Sequence, residues 1–137
     1  MRYWILILCF MFAPRWVYAQ AYPSASQVQC TNTAIYDAST NGATKLVSGL
    51  TGKSIYICGF DFYGAGTGNV SLQEGTGTNC GTGTSTITPA FQLKTQDGIV
   101  DNPGIYTGLH TVIAGDALCI NSSAGVAIQA IVYYTQF

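Results

Sequence analysis

The sequence predicts an all-β domain: an antiparallel β-sandwich or jelly-roll-like fold of seven to eight short strands, stapled by disulfides. Three observations predict it. After residue 19 no segment sustains a helical period. Short runs rich in β-branched and aromatic residues alternate instead with Gly, Asn, Asp and Pro at close intervals. Four cysteines are spread along the same stretch.

The chain begins with Arg2, an apolar run from Tyr3 to Ala13 and then Val17-Tyr18-Ala19. A positive start, a short apolar centre and small residues before a cut form the layout of a secretory signal peptide, expected here over residues 1–19. A second cut is available after Ala21. The rival is a retained anchor, but a span needs about 20 apolar residues, and Pro14-Arg15 interrupts this run. The expected destination is secretion or a cell surface, with the periplasm or a virion as variants. Every Arg, Trp and Met lies in the leader, so the mature protein would lack all three.

Residues 20–137 suit a single domain, long enough to bury a real core. Their charges are Lys45, Lys53 and Lys94 against Asp37, Asp61, Glu74, Asp97, Asp101 and Asp116, a net charge of −3. Without a basic patch to neutralise phosphates, nucleic acid is excluded as a partner.

The strands are expected at Gln27 to Tyr36, Lys45 to Ser48, Ser54 to Tyr63, Asn69 to Gln73, Thr86 to Leu93, Tyr106 to Ile113, Ala117 to Asn121 and Val126 to Phe137. Turn signals separate them: Asn41-Gly42, Gly52, the Gly64/Gly66/Gly68 series, Asp97-Gly98, Asn102-Pro103-Gly104, Gly115-Asp116 and Ala124-Gly125. Gly and Asn tolerate positive φ at such points, and Pro fixes its own φ. The tract Gly75 to Thr88, GTGTNCGTGTSTIT, is expected as a long loop stapled at Cys80. Within Ser54 to Phe62 one face carries Tyr56, Cys58, Phe60 and Phe62 and the other Ile55 and Ile57, which predicts a central strand with a bulge or exit near Gly59. Val126 to Tyr134 is also apolar on both sides. It is either central, or an edge offering Ile128, Ile131, Tyr133, Tyr134 and Phe137 for assembly with another chain.

Cys30, Cys58, Cys80 and Cys119 form an even set, expected as two disulfides in an oxidising compartment. Their spacing is too wide for a zinc site. Three connectivities are open, and adjacency in sequence favours Cys30–Cys58 with Cys80–Cys119. Cys9 falls in the leader.

Catalysis is not expected. The only histidine, His110, sits in a predicted strand with Asp101 and Asp116 on either side in sequence, and no nucleophile motif accompanies it. Asp97 to Asn102 places oxygens close together, but without the acidic spacing of a calcium loop; neither metal nor cofactor is expected. Tyr22, Tyr36, Tyr63, Tyr106, Tyr133 and Tyr134 could stack on sugars, which makes a secreted carbohydrate-binding module the alternative function. Two N-glycosylation sequons occur, at Asn69 and Asn121. A C-terminal phenylalanine is also found on outer-membrane barrels, a minor option given paired cysteines.

Gly52-Lys53-Ser54-Ile55-Tyr56-Ile57-Cys58-Gly59-Phe60, then Glu74-Gly75-Thr76-Gly77-Thr78-Asn79-Cys80, then Ala114-Gly115-Asp116-Ala117-Leu118-Cys119-Ile120-Asn121, and an aromatic-rich tail ending Tyr134-Thr135-Gln136-Phe137, follow one another in an order that spans most of residues 20–137. This pattern resembles a poorly characterised family of small β-rich proteins from tailed phages and from bacterial and environmental genomes. The resemblance implies a structural or surface role and brings no catalytic residues. The leader is a departure, since a virion protein assembled in the cytoplasm carries none. The expected function is therefore an exported structural or adhesive surface component of a cell surface, extracellular filament or virion. Its expected partners are further copies of itself, other surface or virion proteins, or glycans.

Overall fold

The computed structural model describes residues 28–102, 108–123 and 127–137. Among them ten strands form: β1 Asn32–Ala38, β2 Gly42–Val47, β3 Ile55–Gly64, β4 Gly68–Thr76, β5 Thr82–Thr86, β6 Phe91–Leu93, β7 Asp97–Asp101, β8 Leu109–His110, β9 Ala117–Ser122 and β10 Ile128–Gln136. Five build sheet A in the order β1-β10-β3-β7, with β8 also on β3. Five build sheet B in the order β2-β9-β4-β5, with β6 also on β4. All pairings are antiparallel. The expected leader lies outside the described residues.

β7 and β8 share one edge of β3, and β5 and β6 share one edge of β4. Each sheet therefore has four strand positions. The chain visits them in alternation: β1 in A, β2 in B, β3 in A, β4 with β5/β6 in B, β7/β8 in A, β9 in B and β10 in A. That order is the double Greek key of a jelly roll.

The eight expected strands fall on these eight positions, and the two further strands, β5 and β7, form where a loop and a turn are expected. The expected strand from Thr86 to Leu93 is broken because Pro89 has no N–H to give to a ladder. Ile87 and Thr88 donate instead to Leu72 C=O, at 2.9 and 3.2 Å. Asp97-Gly98 opens β7 rather than making a turn. The reversal comes one step earlier, where Asp97 N–H donates to Lys94 C=O at 3.0 Å and Gln96 adopts φ 62°. Half of the Gly-Thr tract is not loop: Thr82–Thr86 pairs with β4, since threonine favours extended backbone once a partner strand is present. Of the strand expected from Tyr106 to Ile113 only Leu109–His110 is seen, with residues 103–107 outside the described set.

β3 and β10 form the centre of sheet A. Between Tyr133↔Gly59 and Tyr134↔Ile57 the register shifts, leaving Cys58 as an extra residue on β3. This bulge lies beside the expected Gly59, but it corrects the expected faces. By resetting the alternation it puts Ile55 and Ile57 on the same inner side as Phe60 and Phe62. All four are buried, packed with Tyr36, Ile128, Ala130 and Val132 of sheet A and with Val70, Leu72, Leu118 and Ile120 of sheet B. Full burial of such side chains stabilises by about 1.5–3 kcal/mol each.

The disulfides are Cys30–Cys58 and Cys80–Cys119, with Cα–Cα distances of 5.9 and 6.2 Å, the connectivity favoured by sequence adjacency. Bridges of this kind persist in oxidising compartments, which points to a protein outside the reducing cytosol. No helix among the described residues is long and apolar enough to cross a membrane.

Candidate functional site

The two outer faces of the sandwich differ. On sheet B the side chains alternating with Val70, Leu72, Leu118 and Ile120 point away from the core: Ser71, Gln73, Ala117 and Cys119. All four are nevertheless buried. What covers the Cys119 end is the Thr78–Cys80 turn between β4 and β5. It lies against β2, β4 and β9 and is bonded to the sheet through Cys80–Cys119. Its backbone reverses through Asn79 and Cys80 at φ 50° and 56°. Asparagine tolerates that region, and the bridge holds the cysteine there. Lys45 N–H donates to Asn79 Oδ1 at 3.2 Å, closing the flap onto β2. Cys80, Ala117 and Cys119 make a small cluster separate from the main core.

Sheet A has no such flap over its β1–β7 half among the described residues. Register places two rows across four strands there. One row is Ile35, Ile131, Asp61 and Val100; the next is Asp37, Gln129, Tyr63 and Gly98. Ile35 and Val100 are about three-quarters exposed, and Tyr63 and Ile131 are also open to solvent. Together they line an open groove of about 350 Å³. Gly98 keeps it open: a Cβ there would meet nothing closer than Phe62 O at 3.4 Å and Tyr63 Cδ2 at 3.7 Å, so the space beside the ring is left empty.

Polar groups punctuate this apolar floor. Tyr133 Oη donates to Asp61 Oδ2 at 3.1 Å. That hydrogen bond, then burial, then the nearby carboxylate charge raise the Tyr133 phenol above its ordinary value. Asp61 Oδ1 is buried without a hydrogen-bond partner. Gln129 Nε2 donates to Asp37 Oδ2 at 3.4 Å. The strands of sheet A carry Asp37, Asp61, Asp97 and Asp101 and no lysine or arginine.

At the other end of β3, Tyr56 stacks between His110, at 5.5 Å, and Phe137, at 4.4 Å. A smaller cavity of about 170 Å³ is lined there by Glu74, Thr86 and His110 among others. Glu74 is buried and accepts a hydrogen bond from Ile113 N–H at 3.2 Å. The acid sharing a cavity with His110 is thus Glu74 from β4, not its sequence neighbours Asp101 and Asp116. Among the described residues no three of His, Cys, Asp and Glu gather as a metal site.

β10 is paired with β1 on one side and β3 on the other, which closes the edge alternative for this strand. Its N–H and C=O groups are already in ladders. Ile128 is buried, Tyr134 packs on the core, Phe137 joins the Tyr56 stack, and Ile131 and Tyr133 face the groove side. Sequence reasoning missed Ile35 and Val100 as site residues. The available signal was their phase, apolar residues at positions alternating with a buried set. Comparison with family models, curated proteins and solved structures finds no match to this chain.

Proposed function

We propose that this protein is an exported structural or adhesive component of a cell surface, extracellular filament or virion, acting by docking rather than by chemistry. The observation that carries the reading is the open face of sheet A. Ile35, Ile131 and Val100 stand in register across the sheet and leave apolar surface in water, which a lone soluble domain has reason to avoid. Two disulfides suit a module that must persist in an oxidising exterior, and the resemblance to small β-rich phage and bacterial proteins points the same way.

A second reading, a secreted carbohydrate-binding module, is favoured by the Asp37–Gln129–Tyr63 row. An exposed ring beside a carboxylate and an amide is a usual way to hold a sugar.

The test is fractionation of the cells or particles that make the protein. The wild type should travel with the sedimenting surface or particle fraction. Ile35→Ser/Val100→Ser, with an unchanged circular dichroism spectrum, should move to the soluble fraction. A wild type that is as soluble as this variant overturns the proposal.

A further inference from the structure

We infer that the partner seated on sheet A is a cationic polypeptide segment, with Lys or Arg side chains set among apolar ones. The inference rests on this face being the docking face proposed above, and it names the chemistry that face selects.

Charge is the first argument. Two carboxylates, Asp37 and Asp61, stand in the outer rows of sheet A, and the strands of the sheet carry no lysine or arginine. A second copy applied face to face would set carboxylates against carboxylates, a juxtaposition that disfavours binding. Self-association through this face is therefore disfavoured, and a basic partner is favoured.

The second argument is the unpaired acceptor. Asp61 Oδ1 is buried and has no donor, while Oδ2 is occupied by Tyr133. A buried acceptor left without a partner is unfavourable, and a turn of the Asp61 side chain toward the groove would let an ammonium or guanidinium supply the strongest donors to a carboxylate. The third argument is shape. Asp61 and Asp37 lie two strands and one row apart, about 12 Å on standard sheet spacings. Ile35 and Ile131 lie beside that diagonal, and Val100 flanks Asp61 on the far side. An extended segment with cations two alternations apart spans that distance, and the aliphatic stems of Lys or Arg cover the isoleucines. A neutral sugar fits less well: Gln129, the one amide of the two rows, is already turned to Asp37.

The test measures fluorescence anisotropy of a short labelled peptide of alternating lysine and leucine against the disulfide-intact protein at low and high salt. Binding should be seen at low salt and weaken as salt rises. Asp37→Asn/Asp61→Asn should weaken it about tenfold or more. Gly98→Val keeps every charge, has room for its Cβ and puts an apolar side chain into the groove beside Tyr63, and it should weaken binding about tenfold or more. If the Asn pair weakens binding and Gly98→Val does not, the attraction is diffuse charge and the site is wrong. A labelled neutral oligosaccharide that binds, salt-independently, where the peptide does not, hands the face to a glycan. If neither probe binds while fractionation still depends on Ile35 and Val100, the cationic partner is wrong and the docking face stands. A dimer in light scattering that Gly98→Val dissolves would show that the partner is a second copy, against this inference.

Discussion

The outer faces of sheets A and B start from the same arrangement and end in opposite conditions. Each sheet has four positions, a split edge and a central strand bearing a disulfide cysteine, Cys58 in β3 and Cys119 in β9. Each is also clamped by a buried threonine beyond its split edge: Thr111 Oγ1 accepts from Ile55 N–H and Thr88 Oγ1 from Leu72 N–H, both at 2.9 Å. In sheet B the bridge holds the Thr78–Cys80 flap over small side chains, and the Cys119 end of the face closes. In sheet A the bridge ties the chain ahead of β1 to the bulge, and among the described residues the β1–β7 half stays open, with aliphatic side chains exposed. Disulfides that look equivalent in sequence thus have different tasks. One seals a face; the other braces a sheet whose face stays available.

That contrast is broken most strongly at the seal. Replacing Cys80 and Cys119 together by alanine should cost about 4 kcal/mol, from loop-closure entropy over a separation of 39 residues. The same change at Cys30 and Cys58, separated by 28, should cost slightly less. Denaturant titration reads both. A loss below about 1 kcal/mol at Cys80–Cys119 would mean the flap holds without its bridge.

Packing should separate the faces next. Ala117 is buried against Cys80 and Cys119, so Ala117→Leu overfills a closed site and should cost about 1–3 kcal/mol. Val100→Thr keeps the β-branch on the open face and should stay within about 0.5 kcal/mol. Equal thermal shifts for the two variants would erase the distinction between sealed and open.

Much of the architecture was legible because its signals are local. Alternation located most of the strands, the even cysteine count implied two bridges, and the double-sided run in β3 announced the bulge. The failures share one cause. Pro89 interrupts a run that propensity alone reads as continuous, and Thr82–Thr86 becomes a strand only because β4 extends to Thr76 beside it. The groove was legible only in part: Tyr63, Ile131 and Tyr133 stand out in the sequence, and the rest of its lining does not. Ile35 and Val100 share a row only because β10 and β3 lie between β1 and β7, a fact of topology that no spacing in the sequence encodes. β10 shows the same limit: a strand apolar on both sides reads equally as centre or edge until its neighbours are known.

The interior offers a sharper test of sheet A. Tyr36 is buried on its inner side, and its hydroxyl has no hydrogen-bond partner. Removing that oxygen relieves a desolvated donor without making a cavity of consequence. Tyr36→Phe should therefore raise stability by about 1 kcal/mol, seen as a higher denaturation midpoint at unchanged slope. A variant less stable than the parent would show that the hydroxyl is satisfied, and that β1 is held to the core by more than apolar contact.

The smallest expected effect lies at the Tyr133–Asp61 pair on the open face. The hydrogen bond to Asp61, with burial and the carboxylate charge behind it, holds the Tyr133 phenol protonated to higher pH in the folded protein than in the unfolded chain. A group raised in this way contributes its stability in full below the unfolded value, near pH 10, and loses it as pH rises through the folded value. Unfolding curves for the wild type and Tyr133→Phe should accordingly keep a constant separation up to about pH 10 and converge above it. Asp61→Asn removes the carboxylate charge and weakens the acceptor, so tyrosinate absorbance in that variant should develop at lower pH. If Asp61→Asn leaves the alkaline titration unchanged, the pair is not formed in solution. Asp61 would then be free of Tyr133, and the cationic partner would meet a stronger field there than the hydrogen-bonded geometry implies.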